Sequence, residues 1–558
     1  MTESISASRF GESLTVSGLR VVARPYRGAP ETPIVDDITF SLPAGEVLAL
    51  IGETGSGKST IALALMGHAR RGCRLADGRI MLGEISVLEA SERTLRGLRG
   101  DRIAYIAQSA TAAFNPAKTL MAQVIEGVVI HGQMSRSKAR DKARALFAEL
   151  MLPDPEHIGD RYPHEVSGGQ LQRAMAAMAL ISDPALIILD EPTTALDVTT
   201  QIEVLQTFKR VVRERGATAV YVSHDLAVVA QVADHVLVLN QGRVCELATV
   251  DQIIHAPADD YTRRLMEAAR PTTDKPADRD TTDSASHGEE LLRIDHLHVG
   301  YGPLGEDGRP AHTVLENLSL QLNTGRALGV IGESGSGKST MAHAIAGLVP
   351  PHNGGVSFKR RELPYALSGR DQQQFRDIQM VFQSADNALN AAHSVRRILE
   401  RPLQRYFDYT RDERHARVRE LLDLVHLPSR VLSVRPGALS GGQKQRVNLA
   451  RALAAEPSLI ICDEVTSALD TVVSEAILNL LNDLRRELGV AYLFISHDIS
   501  TVRRVCDDLM VLRAGRCVEY GACPTTIDAP QHAYTRQLIA SIPELRTDWL
   551  DRQDFSSG

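Results

Sequence analysis

Six short apolar runs set the frame of this chain. EVLALIGE, ALIILDE and ATAVYVSHD in the first half are echoed by RALGVIGE, SLIICDE and VAYLFISHD in the second. Each is short, rich in β-branched and aliphatic residues, and apolar at consecutive rather than alternate positions. That is the pattern of a strand buried on both faces of a parallel sheet. Each run also ends in a polar or glycine-rich stretch, which puts the reactive groups at the carboxyl edge of the sheet, where α/β folds bind ligands. Segments between the runs, such as SRSKARDKARALFAELML and TRDERHARVRELLDLVHL, carry apolar residues at helical spacing. They predict a second, mostly helical subdomain interrupting each sheet.

The echo is a tandem duplication. Gly52-Glu-Thr-Gly-Ser-Gly-Lys-Ser59 returns as Gly332-Glu-Ser-Gly-Ser-Gly-Lys-Ser339. Ser-Gly-Gly-Gln, Asp-Glu and Ser-His-Asp follow in the same order, from Ser167 to Ser440, Asp190 to Asp463 and His224 to His497. With 558 residues the chain has room for two domains of ordinary size. Residues 1–270 are expected to form the first and 290–547 the second, with 548–558 a C-terminal tail. The stretch between them, 271–289, reads PTTDKPADRDTTDSASHGE, has no apolar periodicity, and is expected to be a flexible linker.

Composition removes several function classes. A formal net charge of -7 lacks the basic excess of a nucleic-acid binder, so no nucleic acid is expected as partner. The six cysteines, Cys73, Cys245, Cys462, Cys506, Cys517 and Cys523, have none of the spacings that bind zinc or iron–sulfur clusters. They read as buried or idle thiols of a reducing compartment. The N-terminal MTESISASRFGES lacks the apolar core of a leader, and no stretch reaches the ~18 apolar residues of a membrane helix. A cytosolic chain, held at a membrane only by partners, is the expectation.

Each G-x-x-x-x-G-K-S loop follows a predicted strand and precedes a helix-forming run, the context of a phosphate cradle. Gly52, Gly55 and Gly57, like Gly332, Gly335 and Gly337, let the backbone curl around an anion held by N–H groups and a helix start. Lys58 and Lys338 are expected on the β- and γ-phosphates, Ser59 and Ser339 on magnesium, with Thr60 and Thr340 beside them. Of the strand-end carboxylates, Asp190 and Asp463 are expected to hold magnesium through water. Glu191 and Glu464 are placed to polarise the attacking water. Taken alone, an Asp-Glu pair at a strand end is an ordinary turn; the matched spacing from the lysine in both halves makes it a site. His224 and His497 share the same edge, within reach of a γ-phosphate.

Val166-Ser-Gly-Gly-Gln170 and Leu439-Ser-Gly-Gly-Gln443 resemble the signature motif of the ABC ATPases. The resemblance implies an α/β fold of two tandem P-loop NTPase ABC domains, each with a RecA-like core, an antiparallel β subdomain and a helical subdomain. It also implies two ATP sites, each completed by the other domain's signature. One would combine Lys58, Ser59, Gln108, Asp190, Glu191 and His224 with Ser440, Gly441, Gly442 and Gln443. The other would combine Lys338, Ser339, Gln383, Asp463, Glu464 and His497 with Ser167, Gly168, Gly169 and Gln170. Gln108 and Gln383 join the catalytic and magnesium-binding sets by the same resemblance. The halves differ at Ala107 against Phe382 and at Pro192 against Val465, neither a catalytic group. The adenine-stacking aromatic matches Tyr301 in the second half; Ala23 falls at that place in the first, with Tyr26 three residues on.

Arg-Tyr-Pro-His-Glu before the first signature, Thr-Ala-Leu-Asp197 and Ser-Ala-Leu-Asp470, and Asp260-Tyr-Thr and Ala533-Tyr-Thr resemble bacterial importers of peptides and nickel. This implies an ATP- and Mg2+-dependent subunit at the cytoplasmic face of the membrane. It would drive two transmembrane permease subunits and, through them, act with an extracytoplasmic solute-binding protein. The cysteine cluster that often follows the first domain in that family is missing, so no iron–sulfur cluster is expected. A soluble ABC ATPase acting on ribosome or DNA, or the ATPase of an exporter, are the alternatives. The former is disfavoured because Asn-His-Leu-Asp, zinc cysteines and long coiled coils do not occur in the sequence.

Overall fold

The computed structural model describes residues 11–24, 31–193, 198–269, 288–304, 310–467 and 469–552. Tyr26, the Thr-Ala-Leu-Asp197 stretch, and the expected linker apart from Gly288 and Glu289 lie outside them. The chain divides into two compact units, Met1–Arg270 with Pro543–Gly558, and Pro271–Ile542. The second unit thus ends at Ile542 rather than at 547, because Trp549 and Leu550 bury themselves in the core of the first.

In the first unit the predicted runs form strands Val47–Gly52, Leu186–Asp190 and Thr218–Val222, every residue of which is buried. They lie in a six-stranded sheet. Its order is Arg243–Thr249, His235–Asn240, Val47–Gly52, Thr218–Val222, Leu186–Asp190 and Ile103–Ile106, parallel except for the first strand. Burial on both faces is why these strands are apolar without alternation. Their carboxyl ends deliver the glycine-rich loop, Gln108, Asp190-Glu191 and His224 to one edge.

A separate antiparallel sheet pairs Thr32–Leu42, Leu14–Ala23, Cys73–Leu82 and Ile85–Ser86. Its apolar positions, among them Leu14, Val16, Ile38 and Ile80, share one core with Leu48, Leu50 and Ile188 of the larger sheet. The helical subdomain enters between Ile106 and Leu186 with helices Leu120–Val124, Glu126–Ile130, Arg136–Glu149 and Gly168–Leu180. Helix Arg136–Glu149 starts where the Ser135 hydroxyl accepts from Lys138 N–H, and it buries Ala139, Ala143, Leu146 and Phe147, the stripe its spacing predicts.

The second unit repeats this plan. Its parallel strands are Ile378–Val381, Leu459–Asp463, Ala491–Ile495, Ala327–Ile331 and Asp508–Arg513, with Arg516–Ala522 antiparallel at the edge. A four-stranded antiparallel sheet and the helices Val395–Tyr406, Arg411–Leu424 and Gly441–Leu453 complete it. A capping box between Thr410 and Glu413 fixes the start of Arg411–Leu424.

Candidate functional site

Backbone geometry explains the glycines at the ends of each phosphate loop. Gly52 has φ +141, and a Cβ there would lie 2.0 Å from the Leu239 carbonyl oxygen; Gly332 has φ +151 and meets Leu512 O at 2.2 Å. No side chain fits either position. Helices Lys58–Ala64 and Lys338–Ala346 then start from left-handed Gly57 and Gly337 without a side-chain cap, so their positive ends face the loop. Lys58 Nζ donates to Gly52 O (2.7 Å) and Glu53 O (2.9 Å), and Lys338 Nζ to Gly332 O (2.7 Å) and Glu333 O (2.8 Å). Both ammonium groups are buried and arched over their own loops.

The next strands bring in the carboxylates. Ser59 Oγ donates to Asp190 Oδ1 at 3.0 Å, and Ser339 Oγ to Asp463 Oδ1 at 3.3 Å. Each glutamate is held between an amide and an imidazole. Gln108 Nε2 donates to Glu191 Oε2 (2.8 Å), while His224 Nδ1 lies 3.2 Å from Glu191 Oε1. Gln383 Nε2 donates to Glu464 Oε2 (2.6 Å), with His497 Nδ1 at 3.5 Å from Glu464 Oε1. Thus Gln, Glu and His from three different strand ends converge twice. The histidine and glutamine touch the glutamate, not the aspartate.

Both glutamates adopt φ +50, a left-handed conformation that costs a residue with a Cβ on the order of 1–3 kcal/mol. Hydrogen bonds from Glu191 N–H to Val222 O and from Glu464 N–H to Ile495 O, each 3.0 Å, hold them there. The turn re-aims the carboxylate to the mouth of the sheet. Burial alone would lower the His224 pKa, but the hydrogen bond and charge of Glu191 outweigh it and raise the value. At His497 the hydrogen bond to Glu464 is the largest influence and again the pKa is raised. Burial would raise the Glu464 pKa, yet the bond and charge of His497, with Lys338 behind, lower it; burial raises Asp463.

The Ser-Gly-Gly-Gln motifs are helix starts. Ser167 Oγ accepts from Gln170 N–H while Gln170 Oε1 accepts from Ser167 N–H, and Ser440 and Gln443 repeat this capping box. These bonds stay within the motif. Gly169 has no room for a side chain, since a Cβ would stand 2.2 Å from Thr200 Cγ2; at Gly442 it would stand 2.5 Å from Val473 Cγ1. Gly168 and Gly441 meet no such obstruction.

Comparison with known proteins settles the family. The family model described as "ABC transporter" matches residues 35–194 and again 315–467, spanning phosphate loop, signature and carboxylates in each unit. The chain belongs to the ABC transporter family. Both units are ATP-binding ABC ATPase domains. The model "Oligopeptide/dipeptide transporter, C-terminal region" matches residues 518–556. Relatives include the glutathione import ATP-binding protein GsiA of Salmonella typhimurium (strain LT2), 37% identical over 95% of this chain and 89% of that protein. GsiA of Escherichia coli (strain K12) is 38% identical over 91% of this chain and 86% of its own length. Among the described residues, no helix is long and apolar enough to cross a membrane.

In the second ABC domain Tyr301 stands at the mouth of the site, 44% exposed, its hydroxyl 3.3 Å from Thr340 Oγ1. Such exposure leaves a ring face for a base. Ala23 of the first domain ends a strand and offers no ring.

Two groups at these sites escape motif reading. Tyr261 Oη accepts from the N–H of loop residue Glu53 (3.2 Å), and Tyr534 Oη from that of Glu333 (3.1 Å). These are the tyrosines of the Asp-Tyr-Thr and Ala-Tyr-Thr motifs, so their repetition was the available signal. Tyr105 OH donates to Asp190 Oδ2 at 2.8 Å. Met380 occupies the same place before Gln383, so Asp463 lacks that donor. Aligning the two halves back from the glutamines exposes the difference.

Proposed function

We propose that this chain is the ATP-hydrolysing subunit of an importer. It would couple ATP turnover at two sites to uptake of a peptide or peptide-like solute, such as glutathione, through two separate permease subunits. An extracytoplasmic solute-binding protein delivers the cargo, and the chain sits peripherally on the cytoplasmic face. The observation that carries the reading is the Gln–Glu–His constellation, complete in both domains, on a chain similar to glutathione-import ATPases over 95% of its length.

The chemistry follows from the groups in place. ATP enters with its phosphates against the uncapped helix start, where Lys58 or Lys338 exchanges its loop carbonyls for phosphate oxygens. The Ser59–Asp190 and Ser339–Asp463 pairs, all hard oxygens, fit Mg2+, which takes one or two protein oxygens and otherwise water and phosphate. Bound there, Mg2+ would neutralise phosphate charge. Glu191 or Glu464 orients and polarises the attacking water, general-base assistance worth about 10²–10⁴-fold. His224 or His497, next to that carboxylate, donates toward the γ-phosphate.

The test is permease-coupled ATPase activity of the copurified complex, comparing wild type with Glu191→Gln, Glu464→Gln and the double substitution. Each single change should lower turnover and the double abolish it while permeases stay bound. If no permease copurifies, the importer reading fails and a soluble factor replaces it. Turnover that survives the double change defeats the assignment of both glutamates.

A further inference from the structure

After the second ABC domain the chain returns to the first. Residues 544–551 lie against helices Val198–Arg215 and Leu226–Val232 of the first unit. Trp549 and Leu550, only 5% and 2% exposed, join the core cluster of Phe208, Val211 and Val232. Trp549 is the one tryptophan of the chain. The backbone between these anchors is read by a single side chain. Gln231 Nε2 donates to Glu544 O (3.0 Å) and Arg546 O (2.6 Å), while its Oε1 accepts from Leu550 N–H (2.9 Å). Gln231 is 2% exposed, so one buried amide uses both its donor and acceptor ends on the segment. Lys209 Nζ adds a bidentate ion pair with Asp551 at 2.7 and 2.9 Å.

Among the described residues, the receptor side chain is not repeated in the second half. The helix equivalent to Leu226–Val232 is Ile499–Val505, entered by the same Ser-His-Asp motif and capped by Asp498 as Asp225 caps the first. Arg504 stands where Gln231 would be, and its guanidinium is spent on Glu475 and Asn479, each at 3.2 Å. An arginine has no acceptor for a backbone N–H. The duplication has diverged at Gln231, and at Lys209, whose counterpart is Asn482.

We propose that residues 544–551 are a strap whose docking on the first ATPase domain keeps the two halves of the chain joined without the linker and without nucleotide. Tethered through the second domain, the strap binds at the high effective concentration of an intramolecular ligand. The helix it grips begins two residues after His224, so the strap bears on the element that follows the proposed γ-phosphate contact.

A specific protease site placed within residues 271–289 of the full chain tests this in nucleotide-free buffer. After cleavage, the wild-type halves should still elute together at the position of the uncut chain. In Gln231→Arg and in a chain ending at Ile542 they should separate. Halves of wild type that separate, or halves of both variants that stay together, overturn the proposal. Trp549 supplies a second readout in the uncut chain. Its emission should be blue and poorly quenched by acrylamide in wild type, and red-shifted and quenched several-fold faster in Gln231→Arg. Emission already red in wild type also overturns it.

Discussion

Replacing Tyr261 by Phe removes one oxygen and nothing else from the C-terminal helix of the first ABC domain. That oxygen accepts the N–H of Glu53 at 3.2 Å, and Tyr261 is 7% exposed, so water cannot readily take its place. Glu53 is half-buried, so loss of its acceptor costs about 1 kcal/mol, the low end of the range for a buried unpaired donor. In a domain of this size that is a fall in Tm of roughly 2–4 °C per kcal/mol. Glu53 is the second residue of the phosphate loop, so part of the loss is expressed as a loosened cradle; about 1 kcal/mol there weakens ATP binding by about fivefold. Tyr534→Phe should do the same to the second domain, where the hydroxyl meets Glu333 N–H at 3.1 Å. The cation–π contact of Arg513, 4.8 Å from the ring centre, survives that change and leaves packing constant. Titration with a fluorescent ATP analogue and a thermal melt on each single and on the double variant give the two readouts. If the double variant matches wild type in both, the tyrosines only fill space and the latch on the loop does not exist.

Gly169→Ala drives a methyl to 2.2 Å from Thr200 Cγ2, an overpacking of about 1–3 kcal/mol that lowers the urea midpoint; Thr200→Ala in the same chain should restore most of it. A Gly169→Ala protein as stable as wild type would show that the two helices do not meet this closely. Histidine titration by NMR tests the glutamate–imidazole pairs. In wild type His224 and His497 should titrate above the ordinary value, and in Glu191→Gln and Glu464→Gln their midpoints should drop. The raised folded pKa means that each pair's stabilisation is complete below the unfolded histidine pKa and is lost as pH rises through the folded one. The lowered Glu464 pKa works the other way: its contribution is present above the unfolded carboxylate pKa and lost as pH falls through the folded value. Midpoints unmoved by the glutamine substitutions contradict both pairings.

What the sequence discloses here is what local burial and repetition encode. Strands such as Leu186–Asp190 are apolar at every position because both faces are covered, and the glycine loops are legible because φ +141 at Gly52 tolerates no other residue. Duplication did the rest, giving every site residue but Tyr301 a second witness. Less legible were groups defined by a partner far along the chain. Tyr261 lies 208 residues from Glu53 and carries an ordinary aromatic pattern for a helix, and nothing in Asp190-Glu191 announces the left-handed turn at the glutamate. Periodicity reports that a side chain is buried, not against what.

The C-terminal segment is the extreme case. In ELRTDWLD, residues 544–551, only three residues are strongly apolar and none repeats with a helical or strand period, so the sequence places a domain end at 547 and a tail after it. Its docking is written instead into the first domain, in differences between the copies at Gln231 and Lys209. Where two halves of a duplication share a helix, its cap and the histidine before it, a change from a half-buried arginine to a buried amide follows the partners each copy holds: Arg504 pairs with Glu475, where the first half has Ile202. Gln231 against Arg504 is such a change, and the backbone of residues 544–550 supplies the reason. In a fused pair of ATPases, then, divergence between halves at buried polar positions points to what only one half must bind.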